Sequence, residues 1–176
     1  MLVATRYAKS LLQLATEKGQ LEKVYADMQL VKSICEENKE FRNFLNSPII
    51  KMDKKVAVIK EIISGKVSEI TSGFLTILTQ KRRESYMSEI AKEFIAQYKH
   101  YKNILTAVIT SAVGIDKTVK AKVLELVKQT TTGEVELVEK VDASLIGGFI
   151  LTIGDKQVDA SVSRRLNELR KTFSVN

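Results

Sequence analysis

The spacing of apolar residues changes near Asn103, and this change constrains the fold more than any other feature of the sequence. Upstream, apolar residues recur every three or four positions, the period of amphipathic helices. Downstream, residues 104–111 read ILTAVITS, and residues 134–139 read EVELVE, the polar and apolar alternation of a half-exposed strand. We therefore predict an α+β chain in two parts, an all-α domain over residues 1–103 and a small α/β domain over residues 104–176.

The first part predicts an antiparallel six-helix bundle, because short breaks separate six amphipathic segments. Gly19, Asn46-Ser47-Pro48, Gly65 and the charged run Lys81-Arg82-Arg83 supply four of these breaks. We expect helices at residues 2–18, 21–38, 40–45, from a cap at Asp53 to Gly65, at 67–79, and from 84 to beyond 98.

The first and fifth predicted helices have apolar arcs that are wider than one core contact requires. On the first helix the arc runs from Val3 to Ala15, and on the fifth it runs from Ile70 to Leu78. Two interpretations stay open. Each helix is buried on two sides within the bundle, or part of each arc receives a helix of a partner protein.

The second part predicts the order strand, helix, strand, strand, helix. The helix begins at Asp116 and ends at Gly133, so the two strands that it joins can lie parallel with a right-handed crossover. The short connection between residues 139 and 148 predicts that the last two strands form an antiparallel hairpin.

Residues 142–173 contain the most distinctive pattern in the chain. An apolar strand at residues 148–153 follows Gly147, and Gly154-Asp155 then turns the chain. Asp159 and Ser161 are both suited to cap the helix that follows. Its apolar positions lie at helical spacing and are Val162, Leu166, Leu169 and Phe173.

No arrangement of residues predicts catalysis, a cofactor or a metal site. The single histidine, His100, lies among lysines and tyrosine, and the single cysteine, Cys35, lies in an apolar helical pattern. One of each cannot form a zinc site. Gly65-Lys66-Val67 lacks the Ser or Thr of a phosphate-binding loop. No apolar run approaches the roughly 20 residues that span a bilayer.

The chain is basic, with 28 Lys and Arg against 21 Asp and Glu, a net charge of +7 and a pI near 9.4. This leaves a basic nucleic-acid-binding module as an alternative function. The basic residues are spread thinly, however, whereas a nucleic-acid surface usually shows a dense cluster with aromatic residues between the charges.

Several motifs together resemble one known family. Gly147-Gly148-Phe149, Gly154-Asp155, Asp159-Ala160-Ser161-Val162 and Arg165-Leu166 resemble the C-terminal signature of the δ subunit of bacterial F-type ATP synthases, relatives of the mitochondrial oligomycin-sensitivity-conferring protein. Looser similarities are Arg6-Tyr7-Ala8, Asn46-Ser47-Pro48-Ile49 and Gln80-Lys81-Arg82-Arg83. At the last of these the family often has Asn-x-Arg, so Gln80 departs from the pattern.

The resemblance implies a non-catalytic stator subunit that links the α3β3 head to the peripheral b-subunit stalk and resists torque during proton-driven ATP synthesis. In the family, the bundle binds N-terminal helical segments of α subunits, one of them in a groove between the first and fifth helices. The C-terminal domain binds the ends of the b subunits. Carried to this sequence, the groove residues are Val3, Tyr7, Ala8, Leu11, Phe74, Ile77 and Leu78.

The resemblance also sets expectations for the cellular context. It implies one copy per complex, no cofactor, no nucleic acid, and membrane association only through partners. It implies a position on the cytoplasmic face of the bacterial inner membrane. The signature residues Gly147, Gly148, Gly154, Asp155, Asp159, Ser161, Arg165 and Leu166 are expected to have structural roles.

Overall fold

The N-terminal half of the chain consists of helices joined by short turns. The computed structural model describes residues 2–63, 65–114, 120, 123–125, 127, 134–154 and 156–174. The helices are α1 (Leu2–Glu17), α2 (Leu21–Glu37), α3 (Lys39–Asn46), α4 (Met52–Ile63), α5 (Glu69–Gln80) and α6 (Met87–Tyr101). A short 3₁₀ turn, Glu84–Tyr86, precedes α6. The chain divides into an N-terminal unit, residues 1–99, and a C-terminal unit, residues 100–176. The predicted α+β fold class is confirmed.

Side-chain caps explain where two of the helices begin. The Asn38 side chain accepts a hydrogen bond from the Phe41 N–H at 3.0 Å and starts α3. Ser68 accepts from the Thr71 N–H and starts α5 at Glu69, two residues later than predicted. The predicted cap at Asp53 is wrong, because α4 begins at Met52 and Asp53 lies in its first turn.

The bundle core consists of aliphatic and aromatic side chains with almost no exposed surface. Its largest fully buried members come from five of the helices and are Leu11, Met28, Ile59, Leu75, Leu78, Met87, Ile90 and Phe94. Tyr25 and Tyr98 stack with ring centroids 3.9 Å apart, which joins α2 to α6. Cys35 is completely buried in this core, as its apolar surroundings in the sequence predicted.

The C-terminal unit contains a four-stranded mixed sheet with strand order β2-β1-β3-β4. The strands are β1 (Ile104–Ser111), β2 (Glu134–Val141), β3 (Phe149–Ile153) and β4 (Lys156–Asp159). β1 and β2 pair in parallel from Ile104 opposite Glu134 to Ser111 opposite Val141, which confirms the predicted parallel pair. Lys120, Val123–Glu125 and Val127, between these strands, are helical. The rest of the helix predicted from Asp116 to Gly133 lies outside the described residues.

The predicted hairpin between β2 and β3 is wrong. β3 instead pairs antiparallel with β1, with Ala107 opposite Ile153, and forms its hairpin with β4, a strand that was not predicted. The physical reason lies in the side chains. β3 is uniformly apolar except for Thr152 and occupies an interior position of the sheet, whereas β2 carries three glutamates and lies at an edge where they stay hydrated.

One helix, α7 (Val162–Ser174), follows β4. Among the described residues, the core of this unit includes Ala107, Ile109, Val123, Val127 and Leu151, with four half-buried apolar residues packed against it. Both inner strands contribute to this core, which is why the apolar runs of β1 and β3 had to be neighbours rather than β2 and β3.

Candidate partner-binding surfaces

The seven residues assigned to the groove on α1 and α5 fall into two groups. Ala8, Leu11 and Leu78 are at most 1% exposed and belong to the bundle core. Val3, Tyr7 and Phe74 are half-buried, and Ile77 is 53% exposed. Only the second group is accessible at the surface of the bundle, and the first group supports it from within the core.

A second apolar stripe lies beside the core stripe on both helices. Positions separated by three, four, seven or eleven residues share one face of a helix. The rings of Tyr7 and Phe74 meet edge to face, with centroids 6.2 Å apart and planes at 67°, so the two stripes touch. We call the combined stripes the α1–α5 surface, which consists of Val3, Tyr7, Leu14, Ile70, Phe74 and Ile77.

Three residues of this region were not predicted. Leu14 is 40% exposed and Ile70 is half-buried. The width of the apolar arcs was the signal that could have found both. The third is Arg83, whose guanidinium carbon lies 5.6 Å from the centroid of the Tyr7 ring, within cation–π range. Hydropathy carries no signal for this contact, because it depends on how the chain turns after α5.

A buried carboxylate holds the start of α5 against α2. One oxygen of Asp27, Oδ2, accepts hydrogen bonds from the Ser68 N–H at 2.8 Å, the Ser68 hydroxyl at 2.6 Å and the Thr71 hydroxyl at 2.8 Å. A negative charge is favourable at a helix N-terminus, where backbone N–H groups lack partners. Asp27 thereby positions the helix that carries half of the α1–α5 surface.

A buried ion pair holds the chain at the other end of α5. Lys55 donates to the backbone oxygen of Leu45 at 2.7 Å and to Glu84 Oε1 at 2.6 Å. The side chains of Lys55 and Glu84 are 5% and 12% exposed. This pair connects α4 to the end of α3 and to the 3₁₀ turn, so it fixes the path of the chain shortly after Arg83.

Two signature glycines allow the chain before β3 to lie against the start of α7. Gly148 has φ +79°, and a Cβ there would lie 2.4 Å from the Ala160 oxygen and 2.9 Å from Ser161 Cα. No side chain fits in that space. A Cβ on Gly147 would lie 3.3 Å from Val162 Cγ2, and the Val162 N–H donates to the Gly147 oxygen at 3.0 Å. Both glycines thus allow a close approach of the backbone, which is a structural role of the kind expected for the signature residues.

The other signature residues form the turn and cap beside this contact. Gly154, with φ +54°, turns β3 into β4. Ser161 caps α7, since its hydroxyl accepts from the Arg164 N–H at 3.2 Å. Asp159 is not a second cap, because its Oδ1 accepts from the Ser161 N–H, just before the helix, at 2.8 Å. The hydroxyl and N–H of Ser161 lower the pKa of Asp159. Asp155 lies outside the described residues.

Exposed apolar side chains surround this corner of the C-terminal unit. Val162 and Leu166 are 41% and 54% exposed and share one face of α7, and Arg165 between them is exposed. Ile146, next to Gly147, is 76% exposed, and Val158 on the edge strand β4 is 54% exposed. We call Ile146, Val158, Val162 and Leu166 the corner surface. Ile146 and Val158 were not predicted as site residues.

The described residues contain no group of three or more His, Cys, Asp and Glu side chains that could hold a metal ion. His100 is exposed at the end of α6, and burial raises the pKa of the Cys35 thiol to about 11. A thiol of that pKa is a poor nucleophile at neutral pH.

None of the helices in the described part of the chain combines the length and the apolar character of a membrane span.

A family model described as ATP synthase delta (OSCP) subunit matches residues 3–173. The chain belongs to this family. It is thus a delta-type structural subunit of an F-type ATP synthase, with the stator role of that family, and the resemblance seen in the sequence is confirmed.

Individual members of the delta family agree with this assignment over nearly the whole chain. An ATP synthase subunit delta from Cytophaga hutchinsonii is 37% identical, with 98% of this chain and 94% of the relative covered. One from Lachnoclostridium phytofermentans is 39% identical, with 98% and 95% covered. A chain in the cryo-EM structure of the Toxoplasma gondii mitochondrial ATP synthase hexamer superimposes with a TM-score of 0.76 at 26% identity, covering 97% of this chain and 96% of that chain.

Proposed function

We propose that this delta-family chain is a non-catalytic linker whose two units bind different parts of the ATP synthase. The N-terminal unit binds N-terminal helical segments of α subunits through the α1–α5 surface. The C-terminal unit binds the ends of the b subunits through the corner surface. One copy serves each complex, at the cytoplasmic face of the bacterial inner membrane, and its only contact with the membrane is through these partners.

The main support for this proposal is the pair of exposed apolar stripes on α1 and α5. Ile77 exposes 53% of its surface and Leu14 exposes 40%, although both helices also contribute fully buried residues to the core. The core-facing stripe of each helix is already buried in the bundle. A second apolar stripe beside it, which the bundle leaves uncovered, fits the apolar face of an added amphipathic helix. The aromatic pair Tyr7 and Phe74 at its centre provides the type of large, rigid anchor that dominates binding energy at interfaces.

The corner surface supports the second half of the proposal. Val162 and Leu166 lie one turn apart on α7. Val158 lies on β4, which is an edge strand of the sheet that the described strands form. The signature glycines hold this corner together through backbone contacts. Glycine at these positions lets the two segments lie close together, and this maintains the shape of the surface to which the stalk would bind.

The mechanical role follows from having two separate binding surfaces. Rotation of the central stalk exerts torque on the catalytic head, and the head turns with it unless a static element holds it. Apolar anchors buried in two interfaces dissociate slowly, so the linker remains attached through many catalytic cycles. Such a role requires no reactive group of its own.

Reciprocal variants test the proposal. The tagged chain is incubated with purified catalytic head or with soluble b-subunit dimer, and the dissociation constant is measured for each. Ile77→Asp should weaken head binding at least about 10-fold and leave b binding unchanged, because a charge enters only the α1–α5 surface. Leu166→Asp should do the reverse, so each variant is the specificity control for the other, and circular dichroism of both checks that each unit remains folded.

Loss of both interactions in one variant, or of neither, would contradict the assignment of partners to surfaces. A pulldown from native membranes completes the test. Recovery of α, β and b subunits after nuclease treatment is expected. Recovery of nucleic acid with no synthase subunit would favour the basic-module alternative instead.

A further inference from the structure

The turn that ends α5 is unusual because an arginine occupies a position normally taken by glycine. The Arg82 N–H donates to the Thr79 oxygen at 2.9 Å and the Arg83 N–H donates to the Leu78 oxygen at 3.0 Å. These two bonds define a Schellman motif, whose first residue beyond the helix cap adopts positive φ. The end of α1 has the same pair of bonds with Gly19 at that position, φ +63°, whereas α5 uses Arg82 at φ +55°.

This turn directs the next residue back towards α1. The guanidinium of Arg83 lies over the Tyr7 ring at 5.6 Å, and Tyr7 contacts Phe74 at the centre of the α1–α5 surface. A residue other than glycine is strained at positive φ, so this geometry persists because the surrounding bonds enforce it. Arg83 is thereby held beside the apolar stripes although its side chain is exposed.

The guanidinium of Arg83 has no carboxylate within ion-pair distance among the described residues. Glu84, its neighbour in sequence, is bound to Lys55 instead. Lys81 and Arg82, in the same turn, are exposed and also lack an ion pair in the described part of the chain. The apolar stripes therefore have a cationic end, and a partner that covers them brings these charges into a region of reduced water access.

We propose that Arg83 forms an ion pair with an acidic side chain on the amphipathic helix that occupies the α1–α5 surface. This inference rests on the proposed function, which supplies the helix, and it adds the chemistry by which that helix is selected. An arginine suits the role because its planar group stacks on Tyr7 while its edge donates two parallel hydrogen bonds to a carboxylate. An apolar helix without a carboxylate at this place would leave the cation partly desolvated and unpaired.

Peptide binding tests the pair. The probe is a synthetic peptide of about 25 residues with the N-terminal sequence of the α subunit from the same organism, titrated into the full chain by calorimetry. Arg83→Glu should weaken binding at least about 10-fold, since like charges then face each other in the interface. Arg83→Lys should weaken it about 3-fold, because the charge remains but the planar fork is lost. Lys81→Glu, an exposed charge in the same turn, is the matched control and should cost less than about 3-fold.

The salt dependence of binding and a set of charge-reversed peptides distinguish an ion pair of Arg83 from a purely structural role of this residue. Binding to the wild-type chain should weaken between about 50 and about 500 mM salt, and Arg83→Gln should flatten this dependence. Each acidic residue of the peptide is changed in turn to Arg. One of these peptides should bind Arg83→Glu more tightly than it binds the wild-type chain.

The possible results are distinguishable. No binding of the peptide to the wild-type chain overturns the proposed function together with this inference. Binding that Arg83→Glu and Lys81→Glu weaken equally overturns the ion pair alone, because the effect then comes from the overall positive field. Binding that neither variant weakens also overturns the pair and leaves the apolar contacts as the basis of recognition.

Discussion

Charged side chains buried inside the N-terminal unit join elements that are far apart in sequence, whereas backbone contacts make the decisive connections in the C-terminal unit. Asp27 joins α2 to the start of α5, and Lys55 joins α4 to the 3₁₀ turn. In the C-terminal unit, strand pairing and the close approach at Gly148 have the corresponding role. Among the described residues of the C-terminal unit, the core cluster has five buried members, all apolar, and no buried charged side chain corresponds to Asp27 or Lys55.

The two units are therefore vulnerable at different kinds of residue. Removal of one partner of a buried ion pair leaves an uncompensated charge, so the bundle is sensitive at a few polar side chains. The close backbone approach at Gly148 leaves no room for a Cβ, so the C-terminal unit is sensitive at this glycine. Substitutions at these two kinds of position are therefore expected to lower the free energy of unfolding by different amounts.

The largest effect is expected for Lys55→Ala, which should destabilise the N-terminal unit by about 4 kcal/mol, because Glu84 then stays buried without its cation. Urea unfolding checks the value, with thiol labelling of Cys35 as a readout of this unit alone. The control is the double variant Lys55→Met/Glu84→Leu, which removes both charges and should cost about 1 kcal/mol or less. A single variant no less stable than the double variant would show that Glu84 is not left as an uncompensated buried charge.

In the C-terminal unit, Gly148→Ala should cost about 3 kcal/mol, because strain at positive φ adds to the overlap with the Ala160 oxygen. Gly154→Ala is the matched control. It has positive φ but open space around its Cβ, so it should cost about 1 kcal/mol. Hydrogen exchange of β3 amides measures both. Equal costs at the two glycines would refute the close-approach argument, and Cys35 labelling should not change in either variant.

Ser161→Ala should destabilise the C-terminal unit by about 1 kcal/mol, since the Arg164 N–H loses the side-chain acceptor that caps α7. Ser163→Ala, inside the same helix, is the control and should change stability by less than about 0.5 kcal/mol. Denaturant titration of both variants provides the comparison. A larger effect at Ser163 would mean that the cap has been assigned to the wrong serine.

The smallest effect is expected for Lys92→Ala, which breaks an ion pair with Glu36 on the bundle surface. Both side chains are about half exposed, at 54% and 44%, with 3.0 Å between the charged atoms. The loss should be below about 0.5 kcal/mol and should disappear in high salt. Comparison with Lys55→Ala isolates burial as the cause of the difference. A cost above about 2 kcal/mol would contradict that explanation.

Much of the fold could be predicted because periodicity and turn residues are local signals. The helices of the bundle and strands β1 and β2 lie within a few residues of their predicted positions. The start of α4 was misplaced because Asp53 is equally suited to a cap and to a first helical turn, and local pattern does not distinguish them.

Strand pairing and surface accessibility depended on tertiary structure. A short connection between β2 and β3 favoured a hairpin, but competition for the interior of the sheet placed β3 beside β1. On α1 and α5, the apolar arcs did not show which part faces the core, so Ala8, Leu11 and Leu78 were grouped with the accessible Ile77. Only packing against the other helices separates them.

The two-part α+β architecture and the family follow from the sequence alone, since both depend on residue types at short spacing. The tertiary structure decided which apolar residues remain accessible, which charged groups are buried and paired, and where Arg83 lies. These outcomes depend on contacts between residues tens of positions apart, such as Asp27 with Thr71 and Tyr7 with Arg83. Local periodicity does not encode such contacts, because they form only when all the helices compete for one core.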